Sequence, residues 1–311
     1  MISSSQANRA IIDIGSNNIY LLAGTYTPQG VFVLTRRTDV TALSEGMSDH
    51  HLSVSAIKRT VIKLEEFYKI ALSYTDHIAI TGTSCSRDAH NISVLSNHIW
   101  DNFHIRYRIL SAEEESYLTG LATVASFPDL HEFVSFDIGG GSTEFSVYRN
   151  KSFEQLMSID LGLRRFQNKY GSDLGSIESY IQQALGRFPF QAPVSVPWVG
   201  IGLTVGNLSC LMQHLQVYDH EKIHGSMITR EDLFFQRNMI DKISDSELRI
   251  LMPFEPQDKS VILSGIIYIL ALMDQYHFDG FIVSNNNLTY GLLSLDEDHW
   301  RSFTQNLDSI S

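Results

Sequence analysis

The chain of 311 residues is 43% hydrophobic and 19% charged, with a formal net charge of −12 at pH 7. Such a length accommodates two domains, each with its own core, and the acidic balance argues against a general nucleic-acid binder, which would carry a basic face. Its two cysteines, Cys85 and Cys210, exclude a disulfide framework and a four-cysteine zinc site.

Met1 to Asn8 is polar, and Asp13 interrupts the first apolar run, unlike a signal peptide. Arg9 to Gly24, RAIIDIGSNNIYLLAG, reads as a strand to Asp13, a turn over Gly15, Ser16 and Asn17, and a second strand. Val31 to Val40 follows as a third strand after a turn at Pro28 to Gly30. Apolar residues at 54, 57, 61, 64, 68 and 71 predict a helix within 53–75. A short strand over 76–82 leads into TGTSCSRDAHN, Thr81 to Asn91, where a helix begins and carries Arg87. His104 to Leu110 is a further strand. Ser111-Ala112-Glu113-Glu114 has the spacing of a capping box opening a helix over 111–125. Glu115 is turned about 100° further round that helix, and neither capping nor the helix dipole accounts for it well. Phe127 to His131, with Pro128, reads as a hinge.

Glu132 to Tyr148, EFVSFDIGGGSTEFSVY, is the most informative stretch. A strand reaches Asp137, a turn runs through Gly139, Gly140, Gly141 and Ser142, and a strand resumes past Glu144. Consecutive glycines allow backbone that other residues avoid and let bare N–H groups approach an anion. Acidic residues at each end can hold a metal or a water beside that anion. Aligning Asp13 with Asp137 sets Ile14 on Ile138 and Gly15 on Gly139, so the chain contains a duplicated strand–turn–strand unit. Beyond it, 153–161 and 194–201 read as strands and 177–188 and 203–216 as helices. A long buried helix over 258–276 and a short strand over 281–284 follow. Within the long helix, the apolar run Val261 to Met273 is short for a membrane span. Gly200, Gly202 and Gly206 miss the dinucleotide fingerprint by one position and read as a strand-to-helix turn. P-loop, HExxH and GxSxG patterns are absent.

DIGSN near the start and DIGGGSTE in the middle resemble the exopolyphosphatase and guanosine pentaphosphate phosphohydrolase (Ppx/GppA) family. That family belongs to the actin, sugar-kinase and heat-shock-chaperone fold group. LSEGM at Leu43 to Met47 resembles its LGEGL, with Ser44 for a glycine. TGTSCSRDAHN resembles its ATSALREASN, which sets Arg87 on the phosphate-facing arginine. SAEEES from Ser111 resembles SGxEEA, which sets Glu115 on the catalytic glutamate. GLRR at 162–165 resembles LGAVR, GIGLT at 200–204 resembles GVGGT with Leu203 for a glycine, and GLL at 291–293 matches the family's closing motif. Asn285-Asn286-Asn287 departs from its usual charged loop. His224, in a segment similar to HGY, is expected to be structural.

The resemblance implies two ribonuclease-H-like α/β domains facing across a cleft. The expected division is 1–127 and 128–294, with the tail 295–311 packing back on the first domain. The implied chemistry is hydrolysis of a terminal phosphoanhydride of polyphosphate or guanosine pentaphosphate. Gly15, Ser16 and Asn17 on one side and Gly139, Gly140, Gly141 and Ser142 on the other would hold phosphates. Arg87 would neutralise the transferring group and Glu115 would take the proton from water. Mg²⁺, or another divalent cation, would be held by Asp137 and Glu144 with Asp13 nearby. A cytoplasmic protein is expected, with neither DNA nor a membrane as partner; a homodimer is compatible with the sequence. Two other readings stay open: a non-catalytic sensor of guanosine polyphosphates, because of the altered positions 44, 112, 203 and 285–287, and a phosphotransferase of the same fold group.

Overall fold

The computed structural model describes residues 7–27, 29–254 and 258–305. The expectations for Pro28, for the leader before Ala7 and for the tail beyond Gln305 lie outside those residues. The chain divides into two compact units, Met1–Pro128 with Leu288–Ser311, and Asp129–Asn287.

The first unit opens with an antiparallel meander: β1 (Asn8–Ile14), β2 (Asn18–Thr27) and β3 (Gly30–Val40). Then come α1 (Val54–Leu72), β4 (Ile78–Gly82), α2 (Ser84–Asp88), α3 (Ser93–Phe103), β5 (Tyr107–Ile109) and α4 (Ala112–Ser126). β4 runs parallel to β1 and β5 parallel to β4, giving the order β3-β2-β1-β4-β5. β1 is apolar without alternation because both its faces are covered. Ala10, Ile12 and Ile14 meet Leu64 and Phe67 of α1 on one face, and Ile11 meets Leu118 of α4 on the other. α1 starts where the Ser53 hydroxyl accepts the Ala56 N–H, and it buries Ala56, Ile57, Thr60, Leu64, Phe67 and Ala71 at helical spacing.

In the second unit β6 (Phe133–Ile138), β7 (Thr143–Arg149) and β8 (Ser152–Ile159) form a second meander. The chain continues through α5 (Leu163–Tyr170), α6 (Leu174–Leu185), β9 (Trp198–Ile201), α7 (Leu203–Met212), α8 (His220–Ile223), β10 (Met227–Thr229), α9 (Arg230–Lys242), α10 (Asp245–Leu251), α11 (Lys259–Tyr276) and β11 (Gly280–Ser284). Its sheet runs β8-β7-β6-β9-β11-β10, with β6, β9 and β11 parallel and β10 antiparallel at the edge. An antiparallel meander continued by two parallel strands recurs in both units, which is the ribonuclease-H-like arrangement of the actin, sugar-kinase and chaperone fold group. α11 is long and apolar enough to cross a membrane by length and composition, and 67% of it is buried inside the protein. The chain then passes back to the first unit through α12 (Leu288–Leu293) and α13 (Glu297–Gln305).

Several boundaries differ from the sequence expectations. The return to the first unit begins at Leu288 rather than 295, because Gly291 lets α12 lie backbone-to-backbone on α4. A Cβ there would sit 2.0 Å from the Leu118 carbonyl oxygen. Residues 194–197 are not strand, since Val194 is exposed and Ser195 turns with φ +64°. The helix expected over 203–216 stops at Met212, and the strand expected over 104–110 shortens to three residues after His104 ends α3 in a left-handed conformation. The Arg87 helix is a single turn, α2. α3, α9 and α10 have no counterpart among the expected elements.

Candidate active site

The first unit gathers its candidate residues at the ends of β1 and β4 and the start of α4. Asp13 and Thr81 are register partners on parallel strands, and the Thr81 hydroxyl donates to Asp13 Oδ1 at 2.7 Å. Asp13 is 3% exposed, and burial pushes its carboxyl up to about 7. The Thr81 hydrogen bond opposes that shift, Glu115 adds to it and Arg87 subtracts from it.

Arg87 rises from α2, the turn that follows β4. Its Nη1 donates to Glu115 Oε2 at 2.6 Å and to the Leu110 carbonyl at 2.8 Å. Glu115 is buried, which raises its proton affinity; the Arg87 guanidinium and the Thr83 hydroxyl pull it back. Its neighbour Glu114 is buried too, with different partners. Glu114 Oε2 accepts the Ser111 N–H at 2.9 Å, Ser111 Oγ accepts the Glu114 N–H at 3.1 Å, and Glu114 Oε1 accepts Arg108 Nη2 at 2.6 Å. The capping box and an ion pair therefore occupy Glu114, while Glu115 turns toward Arg87 and the region of Asp13.

The two glycine turns hold anion-facing N–H groups to different extents. In the second unit the Leu163 N–H donates to Gly139 O at 3.0 Å. The Arg164 and Arg165 N–H groups donate to Gly140 O at 2.9 and 3.0 Å, and Arg165 Nε to Gly141 O at 2.8 Å. A trans peptide points its C=O and N–H in opposite directions, so the N–H groups of Gly140, Gly141 and Ser142 turn away from α5 together, as an anion nest requires. Gly162, the first residue of the GLRR motif and the residue before α5, permits this approach. A Cβ there would lie 2.5 Å from the carbonyl carbon and oxygen of Gly140 and from the nitrogen of Gly141. Gly139 is different: its N–H donates to Ser142 O at 3.0 Å and closes the turn. Gly15 does the same in the first unit, donating to Asn18 O at 2.9 Å. The sequence expectation makes both phosphate donors, and both spend their N–H on the hairpin instead. Ser16 and Asn17 remain in the first turn. The altered Ser44 supports it, because its N–H and its hydroxyl both donate to Ser16 O, at 3.0 and 3.1 Å.

Asp137 and Glu144 are directly opposed on β6 and β7, so both side chains stand on one face of the sheet. Glu144 pairs in turn with Ser158 of β8, whose hydroxyl donates to Glu144 Oε1 at 2.9 Å. Like charges facing each other across a ladder are unfavourable, and a divalent cation would offset that cost. Among the described residues no three His, Cys, Asp or Glu side chains form a ready cage. Two carboxylates completed by water and substrate oxygens are the habit of Mg²⁺, so the pair fits that ion. In the first unit the position matching Glu144 is Tyr20, the register partner of Asp13; Asp13 has no second carboxylate across its hairpin.

The neighbouring glycine, Gly202, has φ +89°, and a Cβ on it would lie 2.7 Å from Asp137 Oδ1. Asn285, at a departure from the family loop, accepts the Tyr218 hydroxyl at 2.9 Å and donates to His220 O at 2.8 Å. His224 Nδ1 accepts the Asn285 N–H at 3.4 Å, a structural position.

Comparisons with known proteins agree with this architecture. The bifunctional 3-dehydroquinate synthase/phosphatase of Fusobacterium nucleatum is 26% identical over 307 residues, covering 92% of this chain and 46% of that protein. The chain thus spans about half the length of that relative. Exopolyphosphatase 2 of Mycobacterium tuberculosis is 25% identical over 310 residues, covering 91% and 96% of the two chains. The crystal structure of an exopolyphosphatase from Cytophaga hutchinsonii shares the fold, with a TM-score of 0.79 at 19% identity over 92% and 96%. The sequence profile of the Ppx/GppA phosphatase family matches residues 25–299. With a match that runs from the end of β2 to the start of α13 and covers most of its length, the chain belongs to the Ppx/GppA phosphatase family.

Proposed function

We propose that the chain removes the terminal phosphate of inorganic polyphosphate or guanosine pentaphosphate by attack of water. The observation that carries this reading is the buried Glu115–Arg87 pair beside Asp13. Burial makes the Glu115 carboxylate a stronger base than a free one, as a proton acceptor from water requires. In the step, the water oxygen bonds to the terminal phosphorus and its proton passes to Glu115. The bond to the bridging oxygen breaks, and the shortened chain leaves with that oxygen. Arg87, tethered by the Leu110 carbonyl, keeps a guanidinium ready for the charge that develops on the phosphoryl oxygens. The N–H groups of Gly140, Gly141 and Ser142 bind phosphate oxygens in the second unit. Asp137 and Glu144 would hold a divalent cation such as Mg²⁺, which when bound supplies charge neutralisation to the phosphates.

Similarity to the mycobacterial exopolyphosphatase and to the Fusobacterium synthase/phosphatase supports the reaction class. The test is orthophosphate release from polyphosphate and from guanosine pentaphosphate, each with and without Mg²⁺. Turnover on either substrate is expected. Tight binding of guanosine polyphosphates without turnover would favour a sensor, and release that depends on an added acceptor would favour a phosphotransferase.

A further inference from the structure

Away from these residues, the first unit draws three histidines together on its surface. His50 and His51 lie on a tight turn in which the Ser48 and His51 backbones bond to each other, at 3.2 and 2.8 Å. His90 follows α2. The His50 and His90 ring centroids are 5.1 Å apart, and those of His51 and His90 are 5.5 Å apart. Two imidazoles bound to one tetrahedral ion, with metal–nitrogen bonds of ~2.0–2.1 Å, place their centroids about 5 Å apart.

Hydrogen bonding selects the tautomer that ligation needs. His50 Nδ1 lies 3.0 Å from the Asp88 carbonyl and His51 Nδ1 lies 2.8 Å from the Asp49 carbonyl. A carbonyl only accepts, so in both rings Nδ1 carries a proton, and in the neutral ring the lone pair then lies on Nε2. Metal-bound histidines are held by such outer contacts. The two segments are also fixed to each other. The His90 N–H donates to His50 O at 2.7 Å, and the Asn91 amide exchanges two bonds with the Leu52 backbone, at 2.9 and 3.0 Å. The turn itself is strained, since Asp49 and His50 both have positive φ, 47° and 60°. Turns of that kind favour Asn-Gly, and strain held in place by its surroundings gathers at functional positions.

We propose that His50, His51 and His90 bind one borderline divalent transition-metal ion of the Zn²⁺ class, with water completing the tetrahedron. Among the described residues no three His, Cys, Asp or Glu side chains are already placed to hold an ion, so ligation requires the three rings to turn. All three are exposed, so their side-chain rotamers are free to adjust to a shared ion. Imidazole suits Zn²⁺ and its neighbours, whereas Mg²⁺ prefers oxygen. The bound ion clamps the segment whose Ser44 holds Ser16 to the segment that carries Arg87, and so stiffens the first unit.

The experiment is titration of the metal-free full chain with Co²⁺, followed by visible absorption, together with thermal melts in Zn²⁺ and in Mg²⁺. One equivalent of Co²⁺ should give the intense bands of a tetrahedral site, and Zn²⁺ but not Mg²⁺ should raise Tm through His-dependent binding. His51→Ala and His90→Ala should each weaken binding at least as much as loss of an outer partner does, roughly ten- to a hundredfold. His77→Ala and His214→Ala, elsewhere in the chain, should leave it intact. Absence of stoichiometric binding, or binding unchanged in both His51→Ala and His90→Ala, overturns the proposal.

Discussion

Gly162 and Gly140 touch backbone to backbone: a Cβ on Gly162 would lie 2.5 Å from the Gly140 carbonyl carbon and oxygen. That approach lets the first N–H groups of α5 hold the carbonyls of the glycine turn and aim the opposite N–H groups at a ligand. Gly162→Ala should therefore push the turn out of place. The expected result is a destabilisation of about 1–3 kcal/mol, as for overpacking elsewhere, with weaker tripolyphosphate binding by calorimetry. Unchanged affinity in a folded Gly162→Ala protein would separate the turn from phosphate binding.

Asp137 and Glu144 face each other on neighbouring strands with Ser158 as the third member of the row. Glu144→Gln should raise the Mg²⁺ concentration needed for half-maximal activity while leaving the protein folded. It should also relieve the repulsion between the two carboxylates, so Tm without divalent ions should hold or rise. The check is a metal titration of activity beside a melt in EDTA. An unaltered Mg²⁺ dependence would take Glu144 out of the metal site.

Asp13 gives a pH test whose sign is fixed by its shift. Its carboxyl ionises at about 7 in the folded chain against 3.8 for a free side chain, so the native state holds the proton more tightly than the unfolded state. The protonated form favours folding below pH ~4, and that contribution is lost as pH rises to about 7. Asp13→Asn cannot ionise. Its Tm relative to wild type in EDTA should rise between pH 5 and pH 8, by an amount worth a few kcal/mol at most. A difference that stays flat over that range would mean that Asp13 ionises normally in its pocket.

Much of the fold is legible in the sequence because it rests on local signals. Apolar strands around DIG turns, and the Ser111–Glu114 spacing, depend on neighbours within a few residues. The sequence also separates Glu114 from Glu115, and the structure gives them different partners for the same reason: adjacent helical positions face about 100° apart. The α10 start is equally local yet absent from the expected elements, although Ser244 and Glu247 form a capping box at the same spacing. Other features depend on long-range register. That Gly162 lies under Gly140, that Thr81 holds Asp13, and that Ser158 continues the Asp137–Glu144 row follow from which strands pair, and the chain order alone does not state it. The N–H groups of Gly15 and Gly139 are misassigned from sequence because a glycine that closes a turn and a glycine that greets an anion have the same letter.

The central claim is that Glu115 takes the proton from water while Glu114 builds the helix start. The most direct measurement is kcat for Glu115→Gln and Glu114→Gln side by side, with Tm for each. Glu115→Gln keeps the shape and removes the base, so kcat should fall at least about a hundredfold, ~2.7 kcal/mol of barrier, with little change in Tm. Glu114→Gln should keep most of its kcat, because glutamine still accepts the Ser111 N–H, and should lose some Tm with the Arg108 ion pair. A crippled Glu114→Gln beside a healthy Glu115→Gln, or two healthy variants, would contradict the account.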